Sequence, residues 1–422
     1  MDAGRRSHRP DPVDVGSVAD VHGHRGYGVG DRRNREGGCA VDGQQRNICV
    51  IGAGVLGLTA ARELAARGHE VTLLDAEAPF ARASHRSFAW INANNKPPHA
   101  YHRLNAAGMA EHDRLQDELG GGWFHRSGCL LIVPEDAVAD REARLRAENY
   151  PVERIPRADL ERLEPTVDWS AVDGEALHLP SEGYLDADLF AAGLLNDLAA
   201  HGVTVQQGRV THLASDAVSA HVLLDDGVEL TPDAVVVATG AASHLFGLPV
   251  ADLEAPEEPT ERTHSFLGLT APTDVPLGRV VISERINVRP RHDGRLWVQL
   301  PGVEHRVREA CDDDAMDALL DEVRHLMEIE LEEVLGAPVP VPTVYLSGRS
   351  LPTDGFPLVG FTDDAHRIYA LVAHSGMTLS ALLGRLVAEE IGGAPSDLLA
   401  SFRPGRPAAA EPVPSTPFVG RQ

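Results

Sequence analysis

Short apolar runs alternate with longer amphipathic ones along this chain, and the alternation predicts strands and helices in turn. Ile48–Ile51 is an apolar run that ends in glycines, as a buried parallel strand does. Leu58–Arg67 is rich in Ala and Leu and predicts a helix, closed by Gly68 as a left-handed cap. Glu70–Leu74 is the next strand, which completes a βαβ unit. Asp188–His201 predicts a helix with acid at its start, and Val203–Val205 and Val210–Leu213 predict strands. Val222–Asp225 and Val228–Leu230 flank Asp226-Gly227 as the arms of a hairpin. Ala234–Ala238 is a buried strand running into Thr239-Gly240. Met316, Leu320, Val323, Met327, Leu331 and Val334 follow at spacings of 4, 3, 4, 4 and 3, which puts them on the core-facing side of one long helix. Ile368–Ala373 and Ser375–Ile391 close the pattern as a strand and a helix. Residues 1–46 show neither period and read as a disordered leader; residues 404–422, rich in Pro and Ala, read as a flexible tail.

The first strand runs into Gly52-Ala53-Gly54-Val55-Leu56-Gly57, and a helix follows. In that setting the glycine spacing has a mechanism. The first Gly permits a tight turn, the second lets backbone approach a pyrophosphate, and the third lets helix and strand pack closely. Phosphate charge then meets the free N–H groups and positive dipole end of the helix. Asp75 and its neighbour Ala76 end the second strand, with Asp75 18 residues after Gly57, where an acid binds ribose hydroxyls and disfavours a 2′-phosphate. The motif by itself serves FAD and NAD alike.

The remaining composition narrows the field. A chain of 422 residues that is 43% hydrophobic buries a core large enough for two domains. A net charge of −25 repels nucleic-acid backbones and anionic membrane surfaces. Cys39, Cys49, Cys129 and Cys311 lack metal-ligand or disulfide spacing, which fits reduced thiols in a cytoplasmic protein with no metal. No stretch has the length of a membrane span, and no apolar segment follows Arg5-Arg6 to make a secretion signal.

Five further segments resemble the D-amino-acid oxidase superfamily, which includes glycine and sarcosine oxidases, and the resemblance covers most of residues 47–403. Arg82-Ala83-Ser84-His85-Arg86-Ser87-Phe88-Ala89-Trp90-Ile91-Asn92 is similar to the Ser-containing segment that wraps the FAD pyrophosphate, so Ser84, Arg86 and Ser87 are implied cofactor contacts. Gly202–Leu213 resembles a strand pair that brings Val210 near the adenine, and Ala238-Thr239-Gly240 resembles a second glycine approach, which implies Thr239 and Gly240. Gly348-Arg349 through Asp354-Gly355-Phe356-Pro357-Leu358-Val359-Gly360, then Ala373-His374-Ser375-Gly376-Met377-Thr378, resembles the family's closing motif. There Ser375, Gly376, Met377 and Thr378 send backbone N–H groups to the pyrimidine end of the flavin. Arg349, five positions before the Asp-Gly pair, matches the arginine that grips the substrate carboxylate.

The resemblance implies an α/β fold. A discontinuous Rossmann-like FAD-binding domain (47–96, 182–247 and 346–403) interleaves with an α+β substrate domain built on an antiparallel sheet (97–181 and 248–345). It implies hydride transfer from the C–N unit of an amino acid or amine to FAD, giving an imine, with oxygen or another acceptor reoxidising the flavin. Other readings are a flavin dehydrogenase with a non-oxygen acceptor, a flavin monooxygenase, and a non-catalytic flavin-binding subunit. Trp90, His264, Arg285, Arg289 and Trp297 are pocket candidates that compete with plain packing or surface roles. Ser347 stands nearest to the cysteine that anchors flavin in the sarcosine-oxidase branch, and His85 is the alternative anchor; the reading favours non-covalent FAD.

Overall fold

The computed structural model describes residues 45–172, 174–253, 263–310 and 312–407, all within one compact unit. The leader up to residue 44, Cys39, Cys311 and tail residues 408–422 lie outside the described residues.

Strand Asn47–Ile51 sits inside a six-stranded sheet. It pairs in parallel with Glu70–Asp75 on one side and Ala234–Val237 on the other. Thr204–Gln207 extends the sheet beyond Glu70–Asp75, and Ile368–Val372 beyond Ala234–Val237, both in parallel; Leu358–Phe361 closes that edge antiparallel. The unbroken apolar run at 48–51 follows from burial on both faces. Ile48 and Val50 share a core with helices Val55–Ala66 and Gly376–Ile391, while Cys49 and Ile51 pack with residues of the three-stranded sheet 210–230.

Eight strands form the second large sheet, in the order Thr343–Gly348, His264–Leu269, Leu296–Gln299, Asn287–Pro290, Val280–Ile282, Cys129–Leu131, Glu175–Leu179, Glu153–Pro156. All neighbours are antiparallel except Val280–Ile282 with Cys129–Leu131. One face packs under helix Asp313–Leu335 through Phe266, Val288 and Val298; the other contributes Leu267, Leu269 and Trp297 to the same core as the first helix.

Three expectations shift. In the long helix Leu319, Val323, Met327, Leu331 and Leu335 are the buried positions, while Met316, Leu320 and Val334 flank them. The apolar residues at 319–320 and 334–335 are adjacent, and the sheet selects the inner of each pair. The strands around 203 and 210 do not pair: Thr204–Gln207 joins the parallel sheet, and Val210–Ser215 pairs with Ala220–Leu224. Finally, Arg406, within the stretch read as tail, grips both carboxylate oxygens of Asp354 (2.7 and 2.8 Å) and the carbonyl of Pro357. The Arg406 guanidinium and the Phe356 N–H hold the Asp354 carboxyl below its ordinary pKa against burial. Asp354 is therefore a clasp for its own loop.

Candidate active site

The glycine turn is built as its spacing requires. Gly52 has φ +104°, and a Cβ there would lie 2.4 Å from the Ala238 carbonyl oxygen. A Cβ on Gly57 would lie 1.7 Å from the Gly52 oxygen, so the helix approaches the turn as only glycine allows. Gly54 opens helix Val55–Ala66 without a side-chain cap of its own and without acid in the first turn. That leaves N–H groups and a positive dipole end for an anion. Ser84 crosses over this end, and the Val55 N–H donates to its Oγ at 2.9 Å. Leu56 is buried behind them.

Asp75 does more than end its strand. Its carboxylate accepts the Ala53 N–H at 2.6 Å and the Glu77 N–H at 2.9 Å, which pins the glycine turn to the second strand. Each oxygen keeps a second lone pair, the acceptor a ribose hydroxyl needs. Gly208 N–H donates to the Asp75 carbonyl, which brings the chain leading to Val210 beside it, and the Ala76 carbonyl accepts from Gln207. Thr239 shares a hydrogen bond with Ser243, and Gly240 passes near Ser350.

At the other helix start, Gly376 faces Val55 and Leu56, so the two N-termini meet. The Ser375 hydroxyl takes a hydrogen bond from the buried Lys96 ammonium at 3.1 Å and shares one with Tyr101 at 2.7 Å. Thr378 Oγ1 accepts from the Asn92 N–H, and the Met377 carbonyl accepts from His112 Nε2 at 2.7 Å. Full burial holds His112 down at about 4, so it is a neutral imidazole there. Ser350 Oγ donates to the Ala373 carbonyl at 3.1 Å, tying the end of strand Thr343–Gly348, and Arg349 with it, to this turn.

Ser87 accepts from the Ala89 N–H. Arg86 is exposed and lies over the Tyr345 ring at 5.5 Å, away from the Ser84 contact. His85 pairs with Asp188 at 3.2 Å. His85 and Arg291 hold the Asp188 carboxyl down at about 2 against burial. Trp297 and Tyr345 stand 6.1 Å apart on the sheet. Of the other pocket candidates, Arg285 is a surface residue paired with Glu330 and Glu333. Trp90 is packed, its Nε1 donating to buried Glu182 at 2.9 Å. His264 is buried beside Thr263.

Arg289 is fully buried. Its guanidinium donates to the carbonyls of Phe88, Pro290 (2.8 Å) and Leu185 (3.3 Å), with Asp186 at 3.8 Å and the rings of Phe88 and Tyr184 alongside. Burial lowers it to about 10, against the pull of Asp186, so it stays cationic at neutral pH. It therefore staples the Ser84–Trp90 segment to the large sheet. Arg289→Met leaves the carbonyls of Phe88, Pro290 and Leu185 without this donor and takes a cation from beside the buried Asp186 carboxylate, which keeps His125 and His292, a loss of about 3–5 kcal/mol. Urea denaturation is the check, and an unchanged midpoint would remove the staple.

No local sequence pattern marks the polar cluster behind that segment. Glu182 is fully buried and accepts from Tyr150 (2.8 Å) as well as Trp90. Burial pushes its carboxyl up to about 7, against hydrogen bonds from Tyr150, Asn94 and Trp90. The folded state thus holds a proton from about 4.5 to about 7 that the unfolded chain has released. Stability from this group is present below the unfolded value and falls as pH rises through that window, by at most about 1.4 kcal/mol per pH unit. Glu182→Gln should flatten that slope in denaturation curves taken at pH 5, 6 and 7; an unaltered slope would reassign it.

Among the described residues no cluster of His, Cys, Asp or Glu could hold a metal, and no helix is long and apolar enough to cross a membrane. A mostly parallel sheet with a glycine turn, two helix starts side by side with no cap from their own N-cap side chains, and a large, mostly antiparallel sheet whose edge strand leads into Arg349 define a dinucleotide-binding oxidoreductase. Comparison with known proteins sharpens this. The profile of the DAO family, FAD dependent oxidoreductases, matches residues 47–390. The chain belongs to this family: it is an FAD-dependent oxidoreductase.

Glycine oxidase of Geobacillus kaustophilus is 23% identical over 81% of this chain and 92% of its own length. Its crystal structure matches with a TM-score of 0.70 at 22% identity, over 86% of this chain and 100% of that one. D-amino acid dehydrogenase of Granulibacter bethesdensis is 25% identical over 82% of this chain and 96% of its own. The tRNA 5-methylaminomethyl-2-thiouridine biosynthesis bifunctional protein MnmC of Chromohalobacter salexigens is 31% identical over 56% of this chain; the match spans only 34% of that longer relative.

Proposed function

We propose that this protein oxidises the carbon–nitrogen bond of an amino acid or related amine. The observation that carries the reading is the tie between Ser350 and Ala373, which holds Arg349 beside the start of the last helix. A planar guanidinium there grips a carboxylate through two hydrogen bonds and fixes which C–H bond is presented. Bound FAD supplies the hydride acceptor, and the oxidised amine leaves as an imine that water hydrolyses. His264 does not compete for the carboxylate, because burial and the Arg349 charge hold its pKa below the ordinary histidine value.

In this reading Gly52, Gly54, Val55, Leu56, Gly57 and Ser84 face the pyrophosphate. Asp75, Ala76 and Val210 face the adenosine half. Ser87, Thr239, Gly240 and Ser375 to Thr378 face the rest of the cofactor. The six-stranded sheet and its helices form the FAD-binding domain, and the eight-stranded sheet forms the substrate domain. FAD is held without a covalent link, since Ser347 is no thiol and His85 is engaged by Asp188. Acid precipitation should therefore release all the yellow colour; colour left in the pellet would contradict this. The buried thiols of Cys49 (pushed up to about 12) and Cys129 suit a cytoplasmic enzyme.

The test is product analysis of the FAD-loaded enzyme with D- and L-amino acids, glycine and N-methyl amino acids, in air and with an added quinone. A carbonyl product with equimolar ammonia or alkylamine is expected. Peroxide formed in air identifies oxygen as acceptor, and turnover only with quinone identifies a dehydrogenase. A product with an inserted oxygen atom would overturn the reading in favour of a monooxygenase.

A further inference from the structure

We propose that the substrate carries a second anionic group beside its α-carboxylate, and that Arg86 binds it. The inference rests on the amine-oxidation reading and adds a substrate class to it, an amino-dicarboxylate.

The neighbouring cations on this side of the molecule are already matched. Arg82 pairs with Glu77, Arg291 with Asp188 and Asp293, and Arg289 with backbone carbonyls and Asp186. Arg86 differs. In a chain with 63 acidic residues against 38 Lys and Arg, it forms no ion pair among the described residues. Asp188, a nearby acid, is occupied by His85 and Arg291. Among the described residues the Arg86 guanidinium lies over the face of Tyr345. Such stacking contributes only about 0.5–1 kcal/mol at an exposed site and leaves the N–H donors in the guanidinium plane open.

Its direction selects the ligand. Ser84, two residues earlier, turns to the helix start at Val55, where a pyrophosphate belongs. Arg86 lies instead on strand Thr343–Gly348. Along a strand, alternate residues share a face, so Tyr345, Ser347 and Arg349 lie on one side. The pairing continues past the strand end, with the Arg349 N–H donating to Thr263 at 2.7 Å. Tyr345 and Arg349 are thus about 13 Å apart along the backbone, a gap two long guanidinium side chains can narrow. Ser347 and its cross-strand partner Ser265 lie on the same face, buried, and their hydroxyls have no hydrogen-bond partner among the described residues. Two cations with buried hydroxyls between them suit a small molecule with an anion at each end.

The probes are non-reactive acids that perturb the bound-flavin spectrum: succinate and glutarate against propionate and butyrate. Dicarboxylates should bind at least about tenfold more tightly than monocarboxylates. Arg86→Met should abolish that gap, and Arg86→Lys should restore part of it, with FAD affinity, read by flavin fluorescence, held within about twofold. Equal affinity for both acid classes would overturn the inference. So would an Arg86→Met protein whose main defect is FAD loss, which would place Arg86 on the pyrophosphate. Amine turnover without a dicarboxylate preference sinks this inference and leaves the amine reading standing. A dicarboxylate preference in an enzyme whose flavin no amine reduces does the reverse.

Discussion

Gly57→Ala is expected to yield a protein that no longer retains FAD. The added methyl carbon would sit 1.7 Å from the Gly52 carbonyl oxygen, a backbone atom with little room to move. Gly52 is itself fixed, because its N–H donates to the Leu74 carbonyl at 2.7 Å and its α-carbon lies against Ala238. The helix must therefore back away from the turn, taking its N–H groups out of reach of the pyrophosphate. Loss of one or two charge-assisted hydrogen bonds, at about 1.5–3 kcal/mol each, weakens binding by at least about tenfold. Gly122→Ala is the control, since a Cβ there meets open space. Fluorescence titration with FAD separates the two, and wild-type affinity in Gly57→Ala would show that the turn does not hold the cofactor.

Arg349→Ala should raise the substrate KM greatly while FAD stays bound. A truncated partner of a carboxylate pair typically costs about 2–5 kcal/mol, which is a fall in kcat/KM of about thirtyfold to several thousandfold. Arg349→Lys should recover little, because an ammonium cannot reproduce the two-pronged grip. Steady-state kinetics with the best substrate decides this; an unchanged KM would remove Arg349 from the substrate site.

Much of the cofactor half was legible from the chain because its signals are local. The glycine spacing, the acid at 75 and the Asp226-Gly227 hairpin each act within a few residues. The helix His99–Leu119 was not legible: its buried face includes His102, Asn105, Glu111 and His112, so no apolar stripe marks it. Lys96 and Tyr101 meet Ser375 across more than 270 positions, a contact no local pattern announces. Arg289 sits in a strand where sequence cannot distinguish a pocket arginine from one spent on backbone carbonyls. For Arg86 the family resemblance implied a cofactor contact, and the Tyr345 ring it lies over, more than 250 positions away, is something no local pattern announces.

The most direct test of the account is an anaerobic absorbance titration of the FAD-loaded protein with D- and L-amino acids, amino-dicarboxylates among them, and with glycine and N-methyl amino acids. The account predicts that the flavin bands near about 375 and 450 nm bleach with one such class. Bands that persist with every amine and amino acid would contradict it.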